Sequence, residues 1–481
     1  MPKTCIVVSH THWDREWYEP YQRFRLRLVR LMDKLLHILD SDPAYRYFTL
    51  DGQTIALEDY LQIRPEREAI LRHYVQEGRL LVGPWHVLPD EFLVSGEAIV
   101  RDFLLGERTA LRFGAKMMVG YTPDPFGHIS QLPQILRGFG IDCAVLCRGL
   151  DDQPTELLWQ SSDGSTVLLC YLRDSYDHAA RLPVHDEQAF AREIVRLYNS
   201  LAAHAKTEYV LLMHGGDHME PVPELSQALA VARKQLPDME LLHGTLPMYI
   251  NAVKESLQLN PDLAAETKAQ KLPVIRGELR SSKRHPVLPG VLSARMWIKQ
   301  RNNHIQNLLE KWTEPFAALA AITIGRGEAC LAPTHALIRQ AWKYLLENHP
   351  HDSICGCGID QTHREMGTRF DWAEQIAEEL TKQGLSLLAG QVNTRQQEPQ
   401  QSIARIPLVV FNPLAVPRSD LVTASVQVPG SLEEFSVVDA EGRAVPHQVL
   451  ARRGAEFATL QLDRSEILGL AAMVEMVATL G

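Results

Sequence analysis

Three apolar runs in this 481-residue sequence end in clusters of imidazole and carboxylate side chains. CIVV (residues 5–8) runs into SHTHWD, MMVGY (117–121) into TPDPFGH, and YVLLM (209–213) into HGGDH. Each run reads as a buried strand, and parallel sheets and α/β barrels collect their sites outside the carboxyl ends of strands. His10, His12, Asp14, Asp124, His128, His214, Asp217 and His218 are therefore candidates for one pocket. Alternation along the first strand lets His10, His12 and Asp14 point the same way. A fourth cluster, ENHPHDSICGCG, follows the helical pattern ALIRQAWKYLL and offers His349, His351 and Asp352. A helix end that favours one imidazole explains one of these histidines, but not His-Pro-His-Asp.

Two imidazoles and two carboxylates drawn from these clusters make a donor set suited to zinc, which accepts both at about 2.0–2.2 Å. A thiolate site is not indicated, because Cys355-Gly356-Cys357 is spaced too closely for the usual zinc or redox patterns. Asp217 follows two glycines on a strand exit and could approach a substrate without being held by the metal, as a general acid must.

The elements that would position these residues fall into three parts. Over 1–270, strand-like runs (CIVVSH, YRYFTLD, GRLLVGPW, MMVGYT, CAVLCR, TVLLCYL, YVLLMHG) alternate with amphipathic helical patterns. That alternation predicts an α/β fold, a mostly parallel seven-stranded sheet or distorted β/α barrel. Over 271–395, a linker leads into three helical stretches that read as a three-helix bundle. Over 396–481, the polar TRQQEPQQSIAR gives way to short alternating strands, the start of a β-sandwich domain.

Composition narrows the partners. A net charge of −10 argues against nucleic acid and anionic membrane, and no apolar run reaches the ~20 residues that span a bilayer. Seven cysteines without framework spacing, and a first strand reached within five residues, predict a cytoplasmic protein without a signal peptide.

Together HTHWDREW, YTPDPFGHISQLPQIL, LLMHGGDH and ENHPHDSICG, in this order, resemble the motifs of glycoside hydrolase family 38, the retaining α-mannosidases of bacterial type. LDGQTIALEDYLQIRPE, GPWHVLPDEFLVSGEAIVRDFLLG and GELRSSKRHPVLPGVLSARMWIKQRN support the resemblance, which covers nearly the whole chain. It implies one Zn2+ per chain on His12, Asp14, Asp124 and His351. Asp124 would also be the nucleophile, Asp217 the acid/base, Arg148 a partner of the nucleophile, Trp17 the floor under the mannose ring, and Asp352 a partner of sugar hydroxyls. In a retaining glycosidase the two carboxyl groups stand about 5–5.5 Å apart and the sugar passes through a covalent aspartyl ester. The remaining candidates read as support: His10 behind the ligands, His128 as a cap of the helix after DPFG, His214 and His218 flanking the acid/base, Trp13 and Trp85 as packing.

Members of the resembled family are about twice this length, with β-sandwich domains after the bundle, so the chain reads as truncated, with a complementing C-terminal half or a homo-oligomer as further partners. The expected activity is hydrolysis of terminal α-mannosides of small oligosaccharides or glycosides. Alternatives are a mannosylglycerate-type hydrolase, a metal-dependent sugar deacetylase, and a catalytically impaired sugar-binding or assembly fragment. Arg280, Lys283 and Arg284 would suit a phosphorylated substrate, but read more simply as a solvated linker.

Overall fold

The structure, a computed structural model, describes residues 3–265, 272–324, 328–394, 406–427 and 435–451. Its main strands are β1 (Lys3–Thr11), β2 (Phe48–Leu50), β3 (Leu80–Leu81), β4 (Gly120–Thr122), β5 (Cys143–Leu146), β6 (Glu156–Gln160), β7 (Thr166–Tyr171), β8 (Tyr209–His214), β9 (Met239–His243) and β10 (Val274–Arg276). One five-stranded sheet runs β3-β2-β1-β8, with β9 also on β1, and every pairing in it is parallel. The other runs β10-β6-β7-β5-β4 and is parallel except for the β6–β7 pair.

The α/β class with mostly parallel strands is as expected; among the described residues the α/β part has ten strands in two sheets, against the seven strands expected for a sheet or distorted β/α barrel. The additional strands are ELLWQ, MELLH and VIR (β6, β9 and β10); the first two hold only two or three adjacent apolar residues between polar ones, and VIR is three residues long, so none stands out as an apolar run.

Strand β1 lies at the centre, and its residues alternate between two cores. Cys5 and Val7 join the cluster made with the helices Tyr21–Ser41 and Glu187–Ala202. Ile6 and Val8 join a second cluster with Leu211 and Met213 of β8 and with Tyr121, Val145, Leu158 and Leu168 of the other sheet. Burial on both faces explains why CIVV is apolar without alternation. Each fully buried aliphatic side chain of this kind stabilises the fold by roughly 1.5–3 kcal/mol.

Three helical stretches follow. Met296–Asn307 continues through a π-helical turn, Leu308–Thr313, into Glu314–Ile324; Glu328–Leu346 and Asp360–Ala389 complete the set. Ile298, Ile305, Leu309, Ala341, Trp342, Leu345, Met366 and Phe370 fill their shared core, which also takes in Ala98 and Phe126 of the α/β part. Phe126 belongs to DPFGH, so the bundle packs directly on a strand exit. Between the last two helices, Pro350 starts the short helix His351–Cys355.

The chain forms two compact units, Met1–Ala415 and Val416–Gly481. The α/β part and the bundle share the first. In the second, the described residues include one antiparallel pair, Val437–Val438 with Ala444–Val445. Residues 395–405 of the expected linker, and 428–434 and 452–481 of the expected β domain, lie outside the described residues; the short strands expected over 406–427 are not formed, that stretch being largely exposed chain without regular structure.

Candidate active site and metal centre

Beyond Thr11 the chain is stitched to the exit of β8. The His12 N–H donates to the Gly216 carbonyl at 3.0 Å, and the His12 carbonyl accepts from the His218 N–H at 2.8 Å. A Cβ at Gly215 would lie 2.0 Å from the His10 carbonyl oxygen, so HGGDH needs its first glycine for this approach. The stitch brings His12, Asp14 and Asp217 to one end of the sheet.

Four side chains from distant parts of the chain then converge. His12 Nε2 lies 3.2 Å from Asp14 Oδ1. His351 Nε2 lies 3.5 Å from that same oxygen and 3.2 Å from Asp124 Oδ2. Ligand atoms of His12, Asp14 and His351 all fall within 4.8 Å of one another. Each imidazole has its Nδ1 engaged on the far side: His12 donates to Asp51 Oδ2 at 3.1 Å, and His351 to the Leu88 carbonyl at 3.2 Å.

In the neutral rings both Nε2 atoms are therefore lone-pair atoms. Both are buried and neither has a hydrogen-bond partner. Two such nitrogens facing two carboxylates call for a positive charge among them. The same demand shows in protonation: burial alone would lower both imidazole pKa values, yet the surrounding carboxylates raise them, that of His351 to about 9. Two nitrogens and two carboxylate oxygens fit zinc. Asp51 behind His12 fixes the ring tautomer as a carboxylate does behind metal-bound histidines.

Asp124 sits between two cationic partners. Arg148 Nε donates to its Oδ1 at 2.8 Å, Arg148 Nη2 reaches the same oxygen, and His351 faces Oδ2. Burial would raise the Asp124 pKa, but the close approach and charge of His351, with the charge of Arg148, hold it well below the usual carboxylate range. Asp217 shows the opposite bias. Burial raises its pKa, and the charges of Asp14 and Asp124 add to this against His12 and against the Tyr176 hydroxyl, which donates to Asp217 Oδ1 at 2.9 Å. One carboxyl is kept ionised and the other is pushed toward its acid form.

The remaining predicted residues take separate places. Asp352, next to His351, is buried; burial and the charge of Asp14 raise its pKa to about 7, and it accepts from Cys357 Sγ at 2.9 Å. Trp17 is half-buried, edge-on to Tyr18 with ring centroids 5.0 Å apart. His10 Nε2 bonds the Tyr176 carbonyl at 2.9 Å, so it supports the site from behind. His218 stacks on Phe24 and accepts from the Asp14 N–H at 3.2 Å, and His214 is buried at the end of β8. Trp13 and Trp85 are packed against Phe24 and Phe103.

His128 does not cap a helix; its Nδ1 pairs with the buried Glu91 at 2.8 Å, because the helix after DPFGH starts only at Leu132. His349 bonds Asn302 at 2.7 Å within the bundle. Cys355 and Cys357 serve different carboxylates, Asp90 and Asp352. Arg280, Lys283 and Arg284 pair with Glu278, Asp152 and Asp174.

Sequence reasoning missed Asp51, Tyr176 and Glu16. Asp51 could have been found, since it ends the apolar strand YFTLD as Asp14 and Asp124 follow theirs. Tyr176 lies in a loop without apolar patterning, and nothing in the sequence marks it.

Comparison with known proteins settles the family. The profile "Glycosyl hydrolases family 38 N-terminal domain" matches residues 2–278, more than half of the chain. The chain belongs to glycosyl hydrolase family 38. The "Alpha mannosidase middle domain" profile of such enzymes matches residues 287–388, the helical bundle. Among family 38 relatives, the "Putative mannosylglycerate hydrolase" of Halalkalibacterium halodurans is 39% identical over 432 residues, 85% of this chain and 45% of that protein. Human alpha-mannosidase 2C1 is 23% identical over 387 residues, 76% of this chain and 33% of that protein. A crystal structure of an alpha-mannosidase from Enterococcus faecalis superposes with a TM-score of 0.73 at 35% identity, covering 81% of this chain and 43% of that one. The chain thus spans less than half the length of these family 38 relatives. Among the described residues, no helix is long and apolar enough to cross a membrane.

Proposed function

We propose that this chain carries the active site of a zinc-dependent retaining α-mannosidase acting on small α-mannosides. The observation that carries the reading is the placing of two carboxyl groups beside the His12–Asp14–His351 cluster, half-buried Asp124 held by His351 and Arg148, and exposed Asp217 held by the Tyr176 hydroxyl. Retaining glycoside hydrolysis needs such a pair, one member nucleophilic and the other proton-donating.

Asp217, in its acid form, gives its proton to the glycosidic oxygen while an Asp124 oxygen bonds the anomeric carbon and the C–O bond to the leaving group breaks. Asp217, now ionised, takes a proton from water as that water displaces Asp124 from the sugar, which restores both carboxyl groups. Arg148 holds Asp124 ionised and fixed in orientation. Asp352 accepts from sugar hydroxyls, and Trp17 offers an aromatic face to the ring. His12, Asp14, Asp124 and His351 would hold the zinc, whose Lewis acidity favours binding of vicinal hydroxyls such as the axial 2-OH and the 3-OH of mannose.

The 39% identical relative supports a narrower substrate class, mannosylglycerate-type glycosides. The test is an aryl α-mannoside assay of this chain, with the first-formed sugar followed by proton NMR. Release of α-mannose ahead of its β anomer is expected. Release of β-mannose first, or no release, would contradict the proposal.

A further inference from the structure

The segment that joins the α/β part to the bundle passes across the exits of two strands. The His128 N–H donates to the Leu279 carbonyl at 3.0 Å, the Leu279 N–H to the His128 carbonyl at 2.9 Å, and the Ser281 N–H to the Gly149 carbonyl at 3.1 Å. The seat is built for this segment. Gly127 and Gly149, with φ of +107° and +89°, face the Leu279 carbonyl, where a Cβ would come within 2.7 and 2.6 Å of its oxygen. These two glycines stand just after Asp124 and Arg148.

From that seat the segment reaches the supports of both carboxyl groups. The Pro286 carbonyl accepts from Arg148 Nη1 at 2.6 Å, while Arg148 Nε holds Asp124. On the other side, His285 Nε2 donates to the Arg173 carbonyl at 2.8 Å and Arg284 Nε to the same oxygen at 3.3 Å. Arg284 Nη2 also pairs with Asp174 at 3.1 Å. Arg173 and Asp174 open the short turn that ends in Tyr176, whose hydroxyl donates to Asp217. That turn includes Ser175 at φ +87°, a conformation side-chain-bearing residues keep only when their surroundings enforce it.

We infer that residues 279–287 form a strap that sets the support of Asp217 relative to that of Asp124, with His285 as a positioning residue acting through the Arg173–Tyr176 turn. The inference rests on the reading of Asp124 and Asp217 as nucleophile and acid/base. Pro286 presents only its backbone to Arg148, so this end is insensitive to substitution at neighbouring side chains. The His285 end depends on a side-chain donor and is the end that can be tested.

The experiment compares kcat/KM on an activated aryl α-mannoside and on an unactivated alkyl α-mannoside, for wild type, His285→Ala, His285→Gln, Arg284→Gln and Asp217→Asn. A displaced acid harms the substrate that needs protonation most. His285→Ala is expected to lose on the order of tenfold on the alkyl mannoside and less than about threefold on the aryl one. His285→Gln, whose amide nitrogen reaches the same carbonyl, should recover most of that loss. Equal loss on both substrates, no loss on either, or no recovery with Gln would overturn the strap. If His285→Ala fails to fold by circular dichroism, Arg284→Gln decides, with the same selective loss expected and an equal loss contradicting it. If Asp217→Asn itself lacks selectivity, or wild type hydrolyses neither substrate, the acid/base reading falls and takes the strap's role with it.

Discussion

Glu16 and Arg369 form a buried ion pair that ties the exit of β1 to the helix Asp360–Ala389. Arg369 Nη1 lies 3.1 Å from Glu16 Oε2 and Nη2 reaches Oε1, while Ser353 Oγ donates to Glu16 Oε1 at 2.8 Å. Arg369 Nε also donates to Asn348 Oδ1 at 2.6 Å. Next in sequence, Arg15 pairs with Asp59 at 2.8 Å and faces Glu347 at 3.6 Å. The two residues after Asp14 therefore hold the bundle segment that carries His351. Removing one partner of a buried pair leaves the other charge uncompensated, which costs about 3–5 kcal/mol. Glu16→Ala should lose that much in urea unfolding followed by circular dichroism, and a loss under about 1 kcal/mol would show that the pair is not holding the bundle.

Asp51 is expected to act through His12. Asp51→Asn keeps the shape but replaces the carboxylate that accepts from His12 Nδ1, and removal of such a partner typically weakens metal binding by about 10–100-fold. Competition with a zinc-binding dye measures it. Unchanged affinity would remove Asp51 from the site's support.

Asp124→Asn removes the nucleophile and one metal donor together. Activity on aryl α-mannosides should fall by about 10³-fold or more, as for loss of other catalytic nucleophiles. Retained turnover would end its assigned role.

Asp217→Asn and Tyr176→Phe should differ in degree along one axis. Loss of the acid should damage poor leaving groups by about 10²–10⁴-fold and activated ones far less. Tyr176→Phe, which keeps the carboxyl but removes its hydrogen bond, should show a smaller loss in the same direction. Equal losses on both leaving groups would point to a role in binding rather than proton transfer.

The chemistry of this site was legible where a strand or helix ends in a cluster. His12, Asp14, Asp124 and His351 stood among a longer set of candidates because apolar runs and a helix pattern stop near them; the resemblance to family 38 singled out these four. The convergence of His351 with the other three was not legible from pattern, since it depends on packing around Phe126 and Trp342 and on charges such as Glu16 and Arg369, each locally indistinguishable from a solvated residue. Tyr176 is invisible for the same reason: its place is set by His10 and by the strap, both remote in sequence. The split into two sheets was hidden by strands as short as Val274–Arg276.

Metal content and rate, measured on the same samples as chelator is titrated, test the central claim most directly. Zinc near one equivalent per chain is expected, falling together with α-mannoside hydrolysis and returning with it on zinc addition, while His12→Ala and His351→Ala chains hold well under one equivalent. Full hydrolysis by metal-free chain, or undiminished zinc in both variants, would contradict a site in which these residues grip one cation beside the sugar.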